Sequence, residues 1–219
     1  MLIKQLPILT FDKKGDVLFY DSFEDGLEPW EQASSGFTSI FSLSSQHRRS
    51  GGFAAKILTS VLHTGNSTLD HYIGYHKVSN TGLEVSFSFN HPHSIIKVML
   101  SLEWGIHYYQ GAIQYDHEHT KLLYLDDTNN FHDLMLNVRC PQNPGTFSTL
   151  KFVVDFLRGE YIRCMINGTP IGMSGIGMWD ADPTGVGILS AQLRTDHDDT
   201  AGWEYYFDDV IITVDEPET

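Results

Sequence analysis

Alternation of apolar and polar residues, in short runs broken by turn residues, is what most constrains this chain. Leu83, Val85, Phe87 and Phe89 alternate with Glu84, Ser86, Ser88 and Asn90. Leu150, Phe152, Val154 and Phe156 repeat the pattern around Lys151 and Asp155, and Ile162, Cys164 and Ile166 repeat it around Arg163 and Met165. A period of two puts one face of a strand in a core and the other outside it. Asn167-Gly168 then closes the last run with a strong hairpin signal. Similar runs are expected at 17–20, 37–43, 53–59, 70–78, 94–104, 107–116, 120–125, 132–139, 185–194 and 203–214. No window shows a convincing helical period, although a short helical turn is expected near Gly175–Asp180. Alanine occurs 7 times, whereas Val, Ile and Thr total 43, a bias that suits pleated strands and penalises helices. Many short strands with frequent turns predict an all-β, antiparallel sandwich. No linker or internal repeat divides the 219 residues, so a single domain is expected, with 1–16 as a lead-in and 215–219 as a loosely attached tail.

The formal net charge is −14, which opposes binding to nucleic acid or to an anionic lipid surface. No apolar run reaches the ~18–20 residues of a membrane helix, so no membrane association is expected. The charge is uneven: residues 195–219 hold nine acids and no base. The opening Met-Leu-Ile-Lys-Gln-Leu-Pro lacks the apolar stretch of about 7–15 residues of a secretory signal, so cytoplasmic synthesis is expected, with a mature fragment of a secreted protein given a new start Met the alternative. Cys140 and Cys164 lie outside any Cys-x-x-Cys pair and read as two buried thiols, with pairing between neighbouring strands the alternative.

The most specific motifs stand at the two ends. Asp21-Ser22-Phe23-Glu24-Asp25-Gly26-Leu27-Glu28-Pro29-Trp30 is followed by Arg49-Ser50-Gly51-Gly52-Phe53-Ala54-Ala55, and Trp203-Glu204-Tyr205-Tyr206-Phe207-Asp208-Asp209-Val210 closes the chain. This trio resembles the jelly-roll domains of carbohydrate-active and lectin-like proteins. The length and the run from Lys151 to Gly168 favour the larger concanavalin-like lectin/glucanase sandwich over the galactose-binding-like module. The resemblance implies adjacent first and last strands, stapled by a structural Ca²⁺. Glu24 and Asp208 would supply carboxylates, and carbonyls near Ser22 and Arg49 would supply the rest. Such an ion takes six to eight oxygen ligands. Without a metal, Glu24 and Asp208 are ordinary polar edge residues.

Paired carboxylates for glycoside hydrolysis are not apparent: Glu103 beside Trp104, and Asp116 before His117-Glu118-His119, stand isolated. Gly-x-Ser-x-Gly and His-Glu-x-x-His are absent. His91-Pro92-His93 and His117-Glu118-His119 are weak metal clips, better read as solvated histidines. Asp196-His197-Asp198-Asp199 reads as a turn, with a cation loop the alternative. Trp104, His107, Tyr108, Tyr109 and Tyr115 form a polar-aromatic group fit to stack on sugar faces and are the candidate ligand-binding residues.

These features together point to a non-catalytic glycan-recognition or surface-display module. A virion component, such as a phage capsid decoration or tail protein, would reconcile cytoplasmic synthesis with an extracellular type of fold. Two alternatives stay open: a hydrolase or polysaccharide lyase on the same sandwich, and a purely structural domain that binds protein partners.

Overall fold

The computed structural model describes residues 14–36, 39–59, 65–74, 79–181, 187–197 and 202–218. Among these residues there are sixteen strands and no helix. In chain order they are β1 (Asp16–Asp21), β2 (Glu31–Ser35), β3 (Ile40–Ser44), β4 (Ala54–Leu58), β5 (Gly65–Gly74), β6 (Asn80–Phe89), β7 (Ile95–Trp104) and β8 (His107–Asp116). The second half holds β9 (Lys121–Leu125), β10 (Phe131–Leu136), β11 (Ser148–Asp155), β12 (Glu160–Ile166), β13 (Thr169–Gly177), β14 (Trp179–Ala181), β15 (Ile188–His197) and β16 (Glu204–Val214).

Two antiparallel sheets form a sandwich. One runs β13-β12-β11-β6-β16-β4-β3, with β1 also paired to β16, and the other runs β10-β9-β8-β7-β15-β5-β2, with β14 also paired to β8. The first and last strands are thus neighbours, Asp16 opposite Val214 and Asp21 opposite Val210. The core lies between the sheets. Leu83, Val85, Phe87 and Phe89 of β6 face Val98, Leu100 and Leu102 of β7 and Ile113 and Tyr115 of β8 across it, all buried. The rings of Phe87 and Phe89 lie 5.9 and 6.0 Å from that of Tyr115. Each such ring withdrawn from water contributes about 1.5–3 kcal/mol.

The opening motif is explained by packing. Asp21 accepts from the backbone N–H of Phe23 and from Trp30 Nε1, both at 2.7 Å, which folds the turn and buries Trp30. Cys140 and Cys164 are free, buried thiols.

Two expectations need correction. The segment at 175–180 is not a helical turn: it ends β13 and begins β14, because Glu160 and Tyr161 pair with Gly177 and Ile176, and Trp179 pairs with Gln110. Nor are residues 215–218 loosely attached. Glu216 is 2% exposed and receives Lys151 Nζ at 2.7 Å and Arg163 Nη2 at 2.5 Å. Asn80 and Glu216 also exchange hydrogen bonds, so the segment straps the outer face of the first sheet. The expected lead-in lies mostly outside the described residues, as do 37–38, 75–78 and 185–186 of three expected strands.

Candidate functional site

The second sheet carries a groove of about 220 Å³ on the face turned away from the core. Strand alternation builds it in rows. Asp70 of β5 stands level with Gln192 of β15 and Met99 of β7; one row on are Tyr72, Ser190, Ser101 and Gln110. The last row holds Ile188, Glu103 and Tyr108. The floor is polar and interlinked. Gln192 Nε2 donates to Asp70 Oδ1 at 2.5 Å, and Thr68 Oγ1 donates to Asp70 Oδ2 at 2.8 Å. The Ser101 and Ser190 hydroxyls share a hydrogen bond of 2.6 Å.

Aromatic rings stand at its margins. Tyr72 is 52% exposed on β5. On the other side Tyr108 meets the edge of Trp179, 5.7 Å away. Trp179 and Phe131 pack on Met99, Ala112 and Leu125, an apolar cluster separate from the main core. Partial burial pushes the Tyr72 phenol pKa up, and the nearby Asp70, Glu31, Tyr108 and Glu103 add to the rise.

Of the five sequence candidates, only Tyr108 faces this groove. Tyr115 is a correction: it is 0% exposed, its hydroxyl bonds His117 Nδ1 at 2.8 Å, and it accepts from the Cys140 N–H at 3.1 Å. It is a core residue. Tyr109 also turns toward the core side, where its ring lies against Gly159 and stacks on His107 at 5.1 Å. His107 in turn meets Asp180 at 3.0 Å. Trp104, at the end of β7, is 39% exposed but does not line the groove. Neighbours in a strand point to opposite faces, so Tyr108 and Tyr109 cannot serve one ligand together. The residues that sequence reading missed are Asp70, Tyr72, Ser101, Ser190 and Gln192. Their signal was present as polar side chains alternating with Leu69, Leu189, Ala191 and Leu193.

The proposed metal residues meet at the junction of the chain ends. Asp208 is 0% exposed. Its Oδ2 accepts from the backbone N–H groups of Arg49 and Ser50 at 2.8 and 3.0 Å, and its Oδ1 accepts from the Asp209 N–H at 2.8 Å. Glu24 Oε1 accepts from the N–H groups of Gly52 and Phe53 at 2.5 and 3.0 Å. Ser22 lies beside the Tyr20 phenol, which donates to Asp209 Oδ1 at 3.0 Å. The Arg49 side chain reaches the Ser86 hydroxyl. Loss of solvent pushes the Asp208 carboxyl pKa up to about 7, with three backbone donors only partly opposing it. As it stands, the junction is a carboxylate-to-amide staple, and calcium would share Asp208 oxygens that already accept from N–H donors. Among the described residues no group of three His, Cys, Asp or Glu side chains converges as a metal site.

Both His-x-His segments lie at one end of the sandwich, joined by the His117 N–H to the Ser94 carbonyl at 3.0 Å. Their rings have protein partners: His91 on Trp203 at 4.0 Å and 5.5 Å from the His93 ring, His93 with Glu118 and His119 with Asp116, each at 2.8 Å. Asp198 and Asp199 of the candidate cation loop lie outside the described residues.

Carboxylate geometry bears on catalysis. Asp70 and Glu103 are two strand spacings apart across the sheet and four residues apart along it. At ~4.8 Å per strand and ~3.3 Å per residue their backbones are roughly 16 Å apart. In glycosidases it is the carboxyl groups that sit ~5–10 Å apart, and the carboxylate nearest to Asp70 by register is Glu31, one strand spacing of ~4.8 Å away at the backbone. Asp116 is farther still along β8, opposite Ile95.

No known protein family matches the sequence, and no curated protein matches it at a significant level. Solved structures do resemble it. An endo-β-1,4-glucuronan lyase from Trichoderma reesei is 13% identical with a TM-score of 0.57, over 90% of this chain and 95% of that one. A carbohydrate esterase from the Shiga toxin-encoding bacteriophage phi24B is 13% identical with a TM-score of 0.57, over 91% and 99%. The Bacillus licheniformis β-glucanase is 15% identical with a TM-score of 0.54, over 91% and 98%. The fold is therefore the concanavalin-like jelly-roll sandwich that the end motifs, the length and the run from Lys151 to Gly168 together suggested.

Proposed function

We propose that this protein is a non-catalytic carbohydrate-recognition module that holds a glycan across the outer face of the second sheet. The observation that carries this reading is the groove itself: a hydrogen-bonded floor of Asp70, Ser101, Ser190 and Gln192 between the rings of Tyr72 and Tyr108. Sugars present apolar faces for rings to cover and hydroxyls for polar side chains to bind. That the three similar structures are named as carbohydrate-acting proteins supports the class of ligand. A broad glycan and polysaccharide screen tests it. Specific hits are expected, weakened about tenfold by Tyr108→Ala or Tyr72→Ala, in line with ~1–1.5 kcal/mol per ring contact. A blank screen would move the reading to a protein-binding structural domain.

The enzymatic alternative, a glycoside hydrolase or polysaccharide lyase on the same fold, stands second: Asp70 and Glu103 lie on well-separated rows, although Glu31 is directly opposite Asp70. Reducing-sugar release that Glu103→Gln abolishes would reinstate it. Display on a virion or other extracellular surface is the setting we propose; the phage esterase shares the fold, and immunogold labelling of intact particles tests the idea. Calcium at Glu24 and Asp208 is a separate proposal, carried by the family resemblance. A native-state ligand raises stability by mass action. A chelator should therefore lower the melting temperature; an unchanged one, with no calcium by elemental analysis, removes the site.

A further inference from the structure

The groove is charged in one sense only. Asp70 and Glu103 line it, whereas no lysine, arginine or histidine does so among the described residues. A third carboxylate, Glu31, stands opposite Asp70 on the neighbouring strand β2. Among the described residues, the nearest cations on this face are already engaged: Lys97 Nζ and Arg194 Nε both reach Asp196, each at 2.6 Å. Two phenols complete the lining, and Glu103 and Tyr108 are register partners on adjacent strands. Carboxylates beside aromatic rings in a partly desolvated cavity attract an ammonium ion by Coulomb and cation–π forces. The same field repels carboxylate and sulfate groups.

We infer that the groove selects glycans bearing a free ammonium group, of the 2-amino-2-deoxyhexose type, over neutral ones, and that it rejects polyuronates. Glu103, with Tyr108 and Tyr72, receives the ammonium, while Asp70 sets the field from the far row. Asp70 is 9% exposed and has both oxygens hydrogen-bonded, so it acts mainly through its charge, and Glu103 makes the direct contact. This rests on the glycan-binding reading of the same groove and adds the charge of the ligand.

The test compares β-1,4-linked oligomers of glucose, glucosamine and glucuronate of equal length by titration calorimetry on the full chain. A pH of about 5.5 keeps the amine cationic. The glucosamine oligomer is expected to bind about tenfold tighter than the glucose oligomer, with the glucuronate oligomer weakest. The advantage should shrink to about twofold in ~0.5 M salt, because a partly exposed pair is screened. Glu103→Gln should erase most of the difference between the glucosamine and glucose oligomers, and an unchanged melting temperature shows that the variant is folded. Equal or weaker binding of the glucosamine oligomer overturns the charge selection and leaves the groove reading intact. Failure of all three oligomers also overturns the selection; the groove reading falls with it only if the wider glycan panel is blank.

Discussion

At the scale of single residues, chemistry and packing divide cleanly on adjacent positions. Gly51 has a positive φ of +57°, and a Cβ there would stand 2.1 Å from Glu24 Oε1. Gly51→Ala should therefore destabilise by about 1–3 kcal/mol, from left-handed strain and the loss of the Glu24 hydrogen bonds. For a chain of this length that is a fall in melting temperature of roughly 2–12 °C. Asp208 gives a pH prediction. Its folded-state pKa of about 7 exceeds that of the unfolded carboxyl, so the folded state keeps a proton that the unfolded chain has released. Stability from this group is fully present below pH ~4 and is lost as pH rises through about 7. Metal-free protein should thus melt lower at pH 8 than at pH 6, and Asp208→Asn should flatten that slope. A steeper fall in the variant would contradict the assignment. Tyr115→Phe separates core from site: it should cost about 1 kcal/mol of stability and leave glycan affinity unchanged.

Among the elements, the strap at the chain's end makes the strongest prediction. Lys151 and Glu216 are both buried, and Glu216 also receives Arg163 and Thr213. Removing one member of a buried ion pair leaves an uncompensated charge and costs ~3–5 kcal/mol. Glu216→Ala should lower the denaturant midpoint markedly, whereas Glu218→Ala, on an exposed pair with Arg158, should do little.

Most strands were legible because their alternation is local. The strands at 83–90, 150–156 and 161–166 were readable from a handful of residues each. Three-residue β14 was not, since so short a run has no period, and its pairing with Gln110 depends on where the chain returns. The strap was unreadable for the same reason: an acidic tail looks solvated until the fold brings Lys151 and Arg163 beneath it. The site was legible only in part. Sequence reading grouped Tyr108 with Tyr109 although neighbours in a strand face opposite ways, and which of the two turns outward depends on which sheet packs beneath. The groove also draws on β5, β7, β8 and β15, whose neighbourhood is set by long-range pairing.

For the whole molecule, two packed sheets, with the chain ends held by a carboxylate-anchored junction on the first, leave the outer face of the second open. The net charge of −14 and the acidic groove act in the same direction, away from polyanions. The most direct test is a map of backbone amide shifts as an oligosaccharide from the glycan screen is titrated into the labelled protein. The account predicts that the largest changes cluster on β5, β7, β8 and β15, around Tyr72, Ser101, Tyr108 and Ser190. Changes centred instead on β6, β11 and β16 of the opposite sheet would contradict it.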